Sequence, residues 1–544
     1  MDSPTLRKAR GAFFTPPEIS RSIAQWAVRG PADVVLEPSC GEAAFLLPAA
    51  QRLRELGAPP DRLGAQVEGI EIHSGSATAA GQRLRAAGAA SSIRVGDFFD
   101  HEPAHPVDAV IGNPPYVRYQ NFSGEARAKG LRVALAQGVR LTGLASSWAA
   151  FTIHAARFLK PDGRLGLVLP AELLTVNYAA EVRRFLLGRF AKVRLVLFER
   201  RVFPGVMEEV VLLLAEGSGG AAAFEVYQAR DLDDLSRLET AAWTGYTPRG
   251  DDKWTSALLP ADSLDAFRAL TEGAGFAVLL DWGETYLGAV TGNNAFFTLT
   301  DAEVSEWRIP ERELLPISPP GARHLRGLEF SEAAWRQLAT DGKRCLLFRP
   351  GDKPSAAAKR YIAAGEAAKV QLGYKCSNRS PWWRVPLVQR PDLLLTYMNQ
   401  DRPRLMSNTA GVHLLNSVYG VSLRPELRDL GRELLPAACL NSATLLGAEM
   451  VGRAYGGGLL KHEPKEADLL PVPAPATLAA AAKALRRIMP QITTALRGPA
   501  AERAVDLVDR AVLEEGLGLA RTEIDGLRRA RAVLMQRRVS RGRG

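Results

Sequence analysis

Cysteine and histidine are scarce in this chain of 544 residues, at four and seven. Cys40, Cys345, Cys376 and Cys439 are scattered, which speaks against both a paired zinc site and the disulfide framework of a small secreted domain. The histidines form no metal-binding helix pair, so no metal is expected. No apolar run is long enough to cross a bilayer, and the opening Met-Asp-Ser-Pro-Thr has no apolar signal core. The expectation is a reduced, cytoplasmic protein with no membrane partner.

What the chain does have is apolar bulk and an excess of positive charge. Its apolar fraction is 47%, and its length exceeds one ordinary core, so two or three domains are expected. Lys and Arg number 69 against 59 Asp and Glu, a net charge of +10 that favours approach to a polyanion. From Thr15 to about Ala215, short β-rich runs alternate with Ala/Leu/Arg helical stretches, the pattern of a parallel sheet covered by helices. Gly217-Ser-Gly-Gly220 reads as a hairpin turn, and polar breakers over 244–252 mark a domain boundary. Short strands, turns and interleaved aromatic and basic residues follow to Pro473. After Pro475 come helical stretches, which read either as a solvated helical hairpin with a disordered basic tail or as a further phosphate contact.

The densest chemistry lies in Asp108-Ala-Val-Ile-Gly-Asn113-Pro114-Pro115-Tyr116. An apolar strand there delivers a side-chain carbonyl, a proline carbonyl and an aromatic face to one point. Two acceptors can then face one NH₂ on a flat ring that the aromatic stacks on. Upstream, Val34-Val-Leu-Glu37-Pro-Ser39-Cys40-Gly41 reads as a buried strand and a glycine turn, followed by a helix through Arg52. Such a turn brings backbone N–H groups and a helix start to a nucleoside ligand. The next strand ends at Glu71, where a carboxylate can accept from ribose hydroxyls. A further strand leads to Asp97, a candidate acceptor for an adenine amino group, and Phe98, a candidate for packing on its ring.

In this order the motifs resemble the gamma class, with TaqI-like layout, of DNA adenine-N6 methyltransferases that use S-adenosylmethionine. Gly11-Ala-Phe-Phe-Thr15-Pro16 matches the family's opening motif, and Glu37 to Phe45, Glu71 and Asp97-Phe98 match its cofactor motifs. Asn113 to Tyr116 matches the catalytic motif, and Arg201-Val-Phe203-Pro-Gly the segment that supplies a second aromatic wall. The first cofactor motif departs from the pattern at Ala43, where a second glycine is usual; a methyl there is compatible with the turn if φ is negative.

The resemblance implies a Rossmann-like class I methyltransferase sheet that includes an antiparallel hairpin, in residues 1–245. A mixed α+β target-recognition domain would occupy 253–473, and a helical extension with a basic tail 475–544. It implies cofactor contacts from Thr15, Glu37, Ser39, Cys40, Gly41, Glu71, Ile72, Asp97, Phe98, Asn113, Pro115 and Phe151. Catalysis on a flipped-out adenine would fall to Asn113, Pro114, Pro115 and Tyr116, with Phe203 completing the sandwich. Leu287 to Phe297 and Gly452 to Lys461 resemble recognition-domain signatures. The candidate contacts to double-stranded DNA are Trp382, Trp383, Arg384, Arg453, Tyr455 and Lys461.

Three alternatives share these residues. An Asn-Pro-Pro-Tyr enzyme acting on RNA or protein glutamine would use the same chemistry, but the Thr-Pro opening and large second domain favour DNA. An idle DNA-binding specificity protein would not need the intact acceptor set. A fused restriction enzyme would need a nuclease, for which the motifs, starting near Met1, leave no N-terminal room. The expectation is a stand-alone modification enzyme with a separately encoded endonuclease.

Overall fold

Runs such as Val67-Glu-Gly-Ile-Glu71 and Val107-Asp-Ala-Val-Ile-Gly112 are buried at every position, on both alternating faces, as strands covered on two sides must be. The computed structural model describes residues 15–542 apart from 91, 200–201, 204–208, 251–252 and 499–500. Gly11 to Phe14, Arg201, Pro204, Gly205 and the final Arg543 and Gly544 therefore lie outside the described residues. The chain divides into two compact units, one ending at Leu258 and one starting at Leu259.

The first unit is built on a sheet whose strands are β1 (Val35–Glu37), β2 (Val67–Glu71), β3 (Ser92–Val95), β4 (Val107–Gly112), β5 (Leu159–Pro170), β6 (Lys192–Phe198), β7 (Val210–Glu216), β8 (Phe224–Ala229) and β9 (Thr244–Tyr246). Their order across the sheet is β3-β2-β1-β4-β5-β7-β6-β8-β9. From β3 to β5 the neighbours are parallel, and β7 runs antiparallel between β5 and β6. Helices α1 (Pro17–Ala27), α2 (Leu46–Glu55), α3 (Ser74–Ala86), α4 (Gly124–Leu135), α5 (Ser147–Ala155) and α6 (Ala180–Arg189) stand before or between the strands. The strand order reverses between β1 and β4. In an open α/β sheet that switch point, at the carboxyl ends of the strands, is where a crevice forms for a ligand.

Close packing under the switch point explains one glycine. A Cβ at Gly69 on β2 would stand 2.6 Å from Ile93 Cδ1 and 2.9 Å from Cys40 Sγ. Two expectations are corrected here. Gly217 to Gly220 is not a hairpin turn, because β7 and β8 are not neighbours; the glycines carry the chain past β6, which pairs with both. The hairpin is β6 with β7, and its register is antiparallel from Lys192 opposite Glu216 to Leu197 opposite Val211. The polar stretch after Trp243 also does not end the unit. Thr244–Tyr246 is the edge strand on β8, and Trp254 stacks on Phe224 at 4.1 Å before the unit closes at Leu258.

The second unit combines several small sheets with helices, among them α7 (Arg428–Ala438), α8 (Ser442–Val451), α9 (Pro475–Arg497), α10 (Ala501–Val508) and α11 (Arg521–Gly542). The basic tail, one reading of which was disorder, is helical to Gly542. Arg538 explains why: it is 4% exposed, pairs with the buried Glu449 of α8 at 2.8 Å, and donates to the carbonyls of Gln400 and Gly458. Among the described residues no single helix is long and apolar enough to cross a membrane. Pro425–Ala438 and Ser442–Val451 pass that test only as a pair, and they are bent by 89°.

Candidate active site

The turn after β1 is shaped by two residues in the left-handed region, Gly41 at φ +51° and Ala43 at φ +66°. The sequence reading allowed alanine here on the premise of a negative φ, and that premise fails. Ala43 holds a glycine-type conformation, fixed by its N–H donating to the Cys40 carbonyl at 2.7 Å and by complete burial of its methyl. Two buried carboxylates tie the turn down. Glu37 Oε2 accepts from Phe45 N at 3.3 Å and Leu46 N at 3.1 Å, donors that the start of α2 cannot satisfy within its own helix. Burial holds the Glu37 carboxyl well above its usual range, with a smaller push from Glu71. Burial also pushes the Cys40 thiol far up, so it remains protonated.

Glu71, at the end of β2, accepts from Gly41 N through Oε2 and from His73 N through Oε1, both at 2.9 Å. It thus joins the β1 turn to the residue that precedes α3. Beside it Ile72 is 58% exposed.

At the end of β4, Asn113 is oriented by its neighbours. Its Nδ2 donates to Thr15 Oγ1 at 3.1 Å, and its main-chain carbonyl accepts from Ser39 Oγ at 3.3 Å. Its side-chain oxygen is buried and has no hydrogen-bond partner among the described residues. A buried orphan acceptor costs about 1–3 kcal/mol, so one that persists points to a donor that arrives from outside. Ser147, the first residue of α5, clamps the turn that follows. Its Oγ donates to the Pro115 carbonyl at 2.5 Å and accepts from Val117 N at 2.9 Å, while its N–H donates to the Val117 carbonyl at 3.0 Å. Tyr116 OH donates to the Val168 carbonyl on β5 at 2.9 Å. The sequence reading missed Ser147; the signal was a Ser-Ser pair opening an apolar helix, but its partner Val117 lies 30 residues upstream.

These elements border an open cleft of about 1720 Å³. That exceeds an ordinary small-ligand pocket of about 300–1,000 Å³ and leaves room for more than one bound group. Thr15, Glu37, Ser39, Cys40, Gly41, Glu71, Ile72, Asn113 and Pro115 line it, together with Arg21, Arg83 and Val202. Pro114, Tyr116, Asp97, Phe98, Phe151 and Phe203 are not among its lining residues. Phe98 and Phe151 instead face each other at 4.7 Å, in a buried aromatic group with His154 and Phe158. Asp97 is turned to its own backbone, accepting from Phe99 N at 3.0 Å, and lies 3.6 Å from Lys129 Nζ. Phe203 is buried in the same apolar cluster that Tyr116 packs against.

In the second unit the six candidate DNA contacts fall into two places. Trp382 and Trp383 are half-buried against the apolar core, with Trp382 5.5 Å from Phe296 and donating to Glu366, and Arg384 pairs with Asp352. Both tryptophan rings pack on the core and remain partly exposed. Arg453, Tyr455 and Lys461 share one antiparallel hairpin, Arg453–Tyr455 against Leu459–Lys461. Tyr455 is 54% exposed with Lys461 Nζ 5.1 Å from its ring centroid, whereas Arg453 is held by the buried Glu466 at 2.8 Å.

Residues 3–217 match the model of the family described as N-6 DNA Methylase, and residues 251–513 that of the type II methyltransferase M.Eco57I, C-terminal domain. Type II methyltransferase M.AccI of Acinetobacter calcoaceticus is 21% identical over 476 residues, which cover 85% of this chain and 84% of that one. Type II methyltransferase M.XamI of Xanthomonas campestris pv. amaranthicola is 25% identical over 481 residues, covering 85% of each. Among solved structures, the type IIL restriction-modification enzyme MmeI in complex with DNA is similar with a TM-score of 0.55 at 13% identity, over 95% of this chain and 75% of that one, a likeness of fold.

Proposed function

We propose, from the match of residues 3–217 to the N-6 DNA Methylase family and from the type II methyltransferase relatives, that the cleft beside β1 and β4 transfers a methyl group from S-adenosylmethionine to N6 of an adenine swung out of the duplex. The observation that carries the reading is the orphan Asn113 Oδ1. An exocyclic amine has two N–H donors and a lone pair delocalised into its ring. Bonded by Asn113 Oδ1 and the Pro114 carbonyl, it is held with that lone pair aimed at the methyl carbon, and preorganised acceptors of this kind act by alignment and electrostatics. Thr15 has a defined part: with its hydroxyl accepting from Nδ2, the Oδ1 end of the Asn113 amide is left for the base.

The residues at the β1 and β2 ends fit the cofactor. Each Glu71 oxygen accepts one backbone N–H and keeps a lone pair for a ribose hydroxyl, and the exposed Ile72 offers an apolar face to an adenine ring. Once bound, S-adenosylmethionine supplies an electrophilic methyl on a sulfonium centre. Burial favours the neutral Glu37 carboxyl, which would supply negative charge next to the turn once a cation is seated there. Tyr116 and Phe203 share one apolar cluster and are the aromatic candidates for the target base, although neither lines the cleft as it stands. The gamma-class order of motifs, a recognition role for the second unit with Arg453, Tyr455 and Lys461 on DNA, and a separately encoded endonuclease complete the reading. The test incubates the purified protein with labelled S-adenosylmethionine and, in separate arms, duplex DNA, RNA and protein. Digestion of the DNA to nucleosides should yield labelled N6-methyladenine; label only in RNA or protein would overturn the assignment.

A further inference from the structure

Between Lys353 and Arg379 stand six basic side chains, Lys353, Lys359, Arg360, Lys369, Lys375 and Arg379, and one acidic one, Glu366. After the helix Ala356–Ala367, the chain turns through Lys369 at φ +58°, makes one tight turn over Val370–Leu372 and one helical turn over Tyr374–Ser377, then returns. Both ends of this excursion are anchored. Val370 and Cys376 are buried in the apolar core, and Arg379 donates to the carbonyls of Thr291, at 2.8 Å, and Val290. The backbone of Gly292 packs so closely that a Cβ there would stand 2.8 Å from Lys375 Cβ.

The tip is different. Leu372 is 67% and Tyr374 78% exposed, the two most exposed large apolar side chains among the described residues. Lys375 Nζ sits 5.4 Å from the Tyr374 ring centroid, and Lys369, three residues before Leu372, is exposed. Rigid anchors under an apolar tip flanked by cations are poorly suited to water and well suited to a polyanion with an apolar interior. The charge excess selects DNA over a protein surface, and apolar side chains pressed into a groove beside phosphate-bound cations are an established way to grip and bend a duplex.

We propose that Lys369–Lys375 is a wedge that enters a groove of the DNA, with Leu372 and Tyr374 against the base steps and Lys369 and Lys375 on the flanking phosphates. The inference rests on the reading of the chain as a DNA methyltransferase and adds the surface that grips the duplex. The test uses the full chain and a duplex containing the site that it methylates in a host genome, located by single-molecule sequencing. The Leu372→Ser/Tyr374→Ser variant should bind this duplex about tenfold more weakly, with melting temperature, cofactor affinity and salt slope unchanged. Lys369→Gln/Lys375→Gln should instead flatten the slope of log K against log salt by about 0.9 for each phosphate that is no longer neutralised. Wild-type DNA affinity and slope in both variants would overturn the wedge, as would a loss of self-association by sedimentation without any loss of DNA binding. Failure of the wild-type chain to methylate DNA at all would sink the parent reading instead, so the two failures are distinguishable.

Discussion

Glu71→Gln keeps the length and shape of the side chain and removes only one acceptor, which makes it a clean probe of the β1 turn. The carboxylate serves two backbone donors at 2.9 Å, Gly41 N and His73 N, one on each oxygen. A glutamine has one carbonyl and one NH₂, so whichever way it turns, one of those donors faces another donor. The lost bond is charge-assisted and nearly buried, and is worth about 1.5–3 kcal/mol. A loss of about 2 kcal/mol should lower the melting temperature of a unit of this size by about 4–8 °C. The same change removes a charged acceptor from the ribose hydroxyls, so cofactor affinity should fall by about tenfold or more. Thermal melting with and without saturating S-adenosylmethionine, together with calorimetric titration, reads both effects. A variant that melts within about 1 °C of wild type would show that the two amides are held by something else. An unchanged cofactor affinity would show that Glu71 is a structural clasp only.

Asn113→Ala should reduce methyl transfer by about a hundredfold or more while cofactor affinity stays within about tenfold, checked by labelled-methyl transfer and calorimetry. Ser147→Ala frees the Pro115 carbonyl and Val117 N, so turnover should fall with cofactor binding maintained, at a cost of about 1–3 kcal/mol in unfolding free energy. For Ala43→Gly, relief of roughly 1–2 kcal/mol of left-handed strain is offset by about 0.4–1 kcal/mol of chain entropy and about 0.8 kcal/mol for the buried methyl, so denaturant unfolding should differ by less than about 1 kcal/mol. Ala43→Val, branched in the same conformation, should destabilise by about 1–3 kcal/mol from overpacking alone. Glu37 is raised by burial, so its folded pKa exceeds its unfolded one, and the protonated form's contribution to stability is lost as pH rises from the unfolded towards the folded value. A cationic cofactor seated nearby favours the carboxylate, so calorimetry in two buffers of different ionisation enthalpy should show proton release by wild type. Glu37→Gln should show none.

The parts of the site that could be read from the sequence are those fixed by local pattern. Parallel strands buried on both faces announce themselves as apolar runs, and their ends at Glu37, Glu71 and Asn113 converge because β1 sits between β2 and β4. What escaped depended on contacts distant in sequence. The packing of Phe98 on Phe151, 53 positions along the chain, is one such contact. The glycine run at 217–220 has hairpin composition, but the strand order is set by which edge β8 finds, and it pairs with β6. The basic tail reads as solvated until Glu449 is seen to lie buried against Arg538. The sign of φ at Ala43 was beyond composition altogether, because a non-glycine residue enters that region only when the surrounding hydrogen bonds hold it there.

The site as it stands contains two kinds of polar group, and the difference explains how it divides binding from chemistry. Glu37 and Glu71 are already satisfied by backbone donors, so the cofactor turn is built before any ligand arrives and binding need not order it. Asn113 Oδ1 is the opposite: the amide nitrogen donates to Thr15, the following turn is clamped by Ser147, and the oxygen is left without a donor among the described residues. A group held rigidly in an unsatisfied state gains most from the partner that completes it. A base that presents an N–H donor removes the penalty, while one that presents a carbonyl would set acceptor against acceptor. Under the proposed function, recognition of an amino-bearing ring and alignment of its nitrogen would therefore be the same interaction, with discrimination at the step where the base enters the pocket.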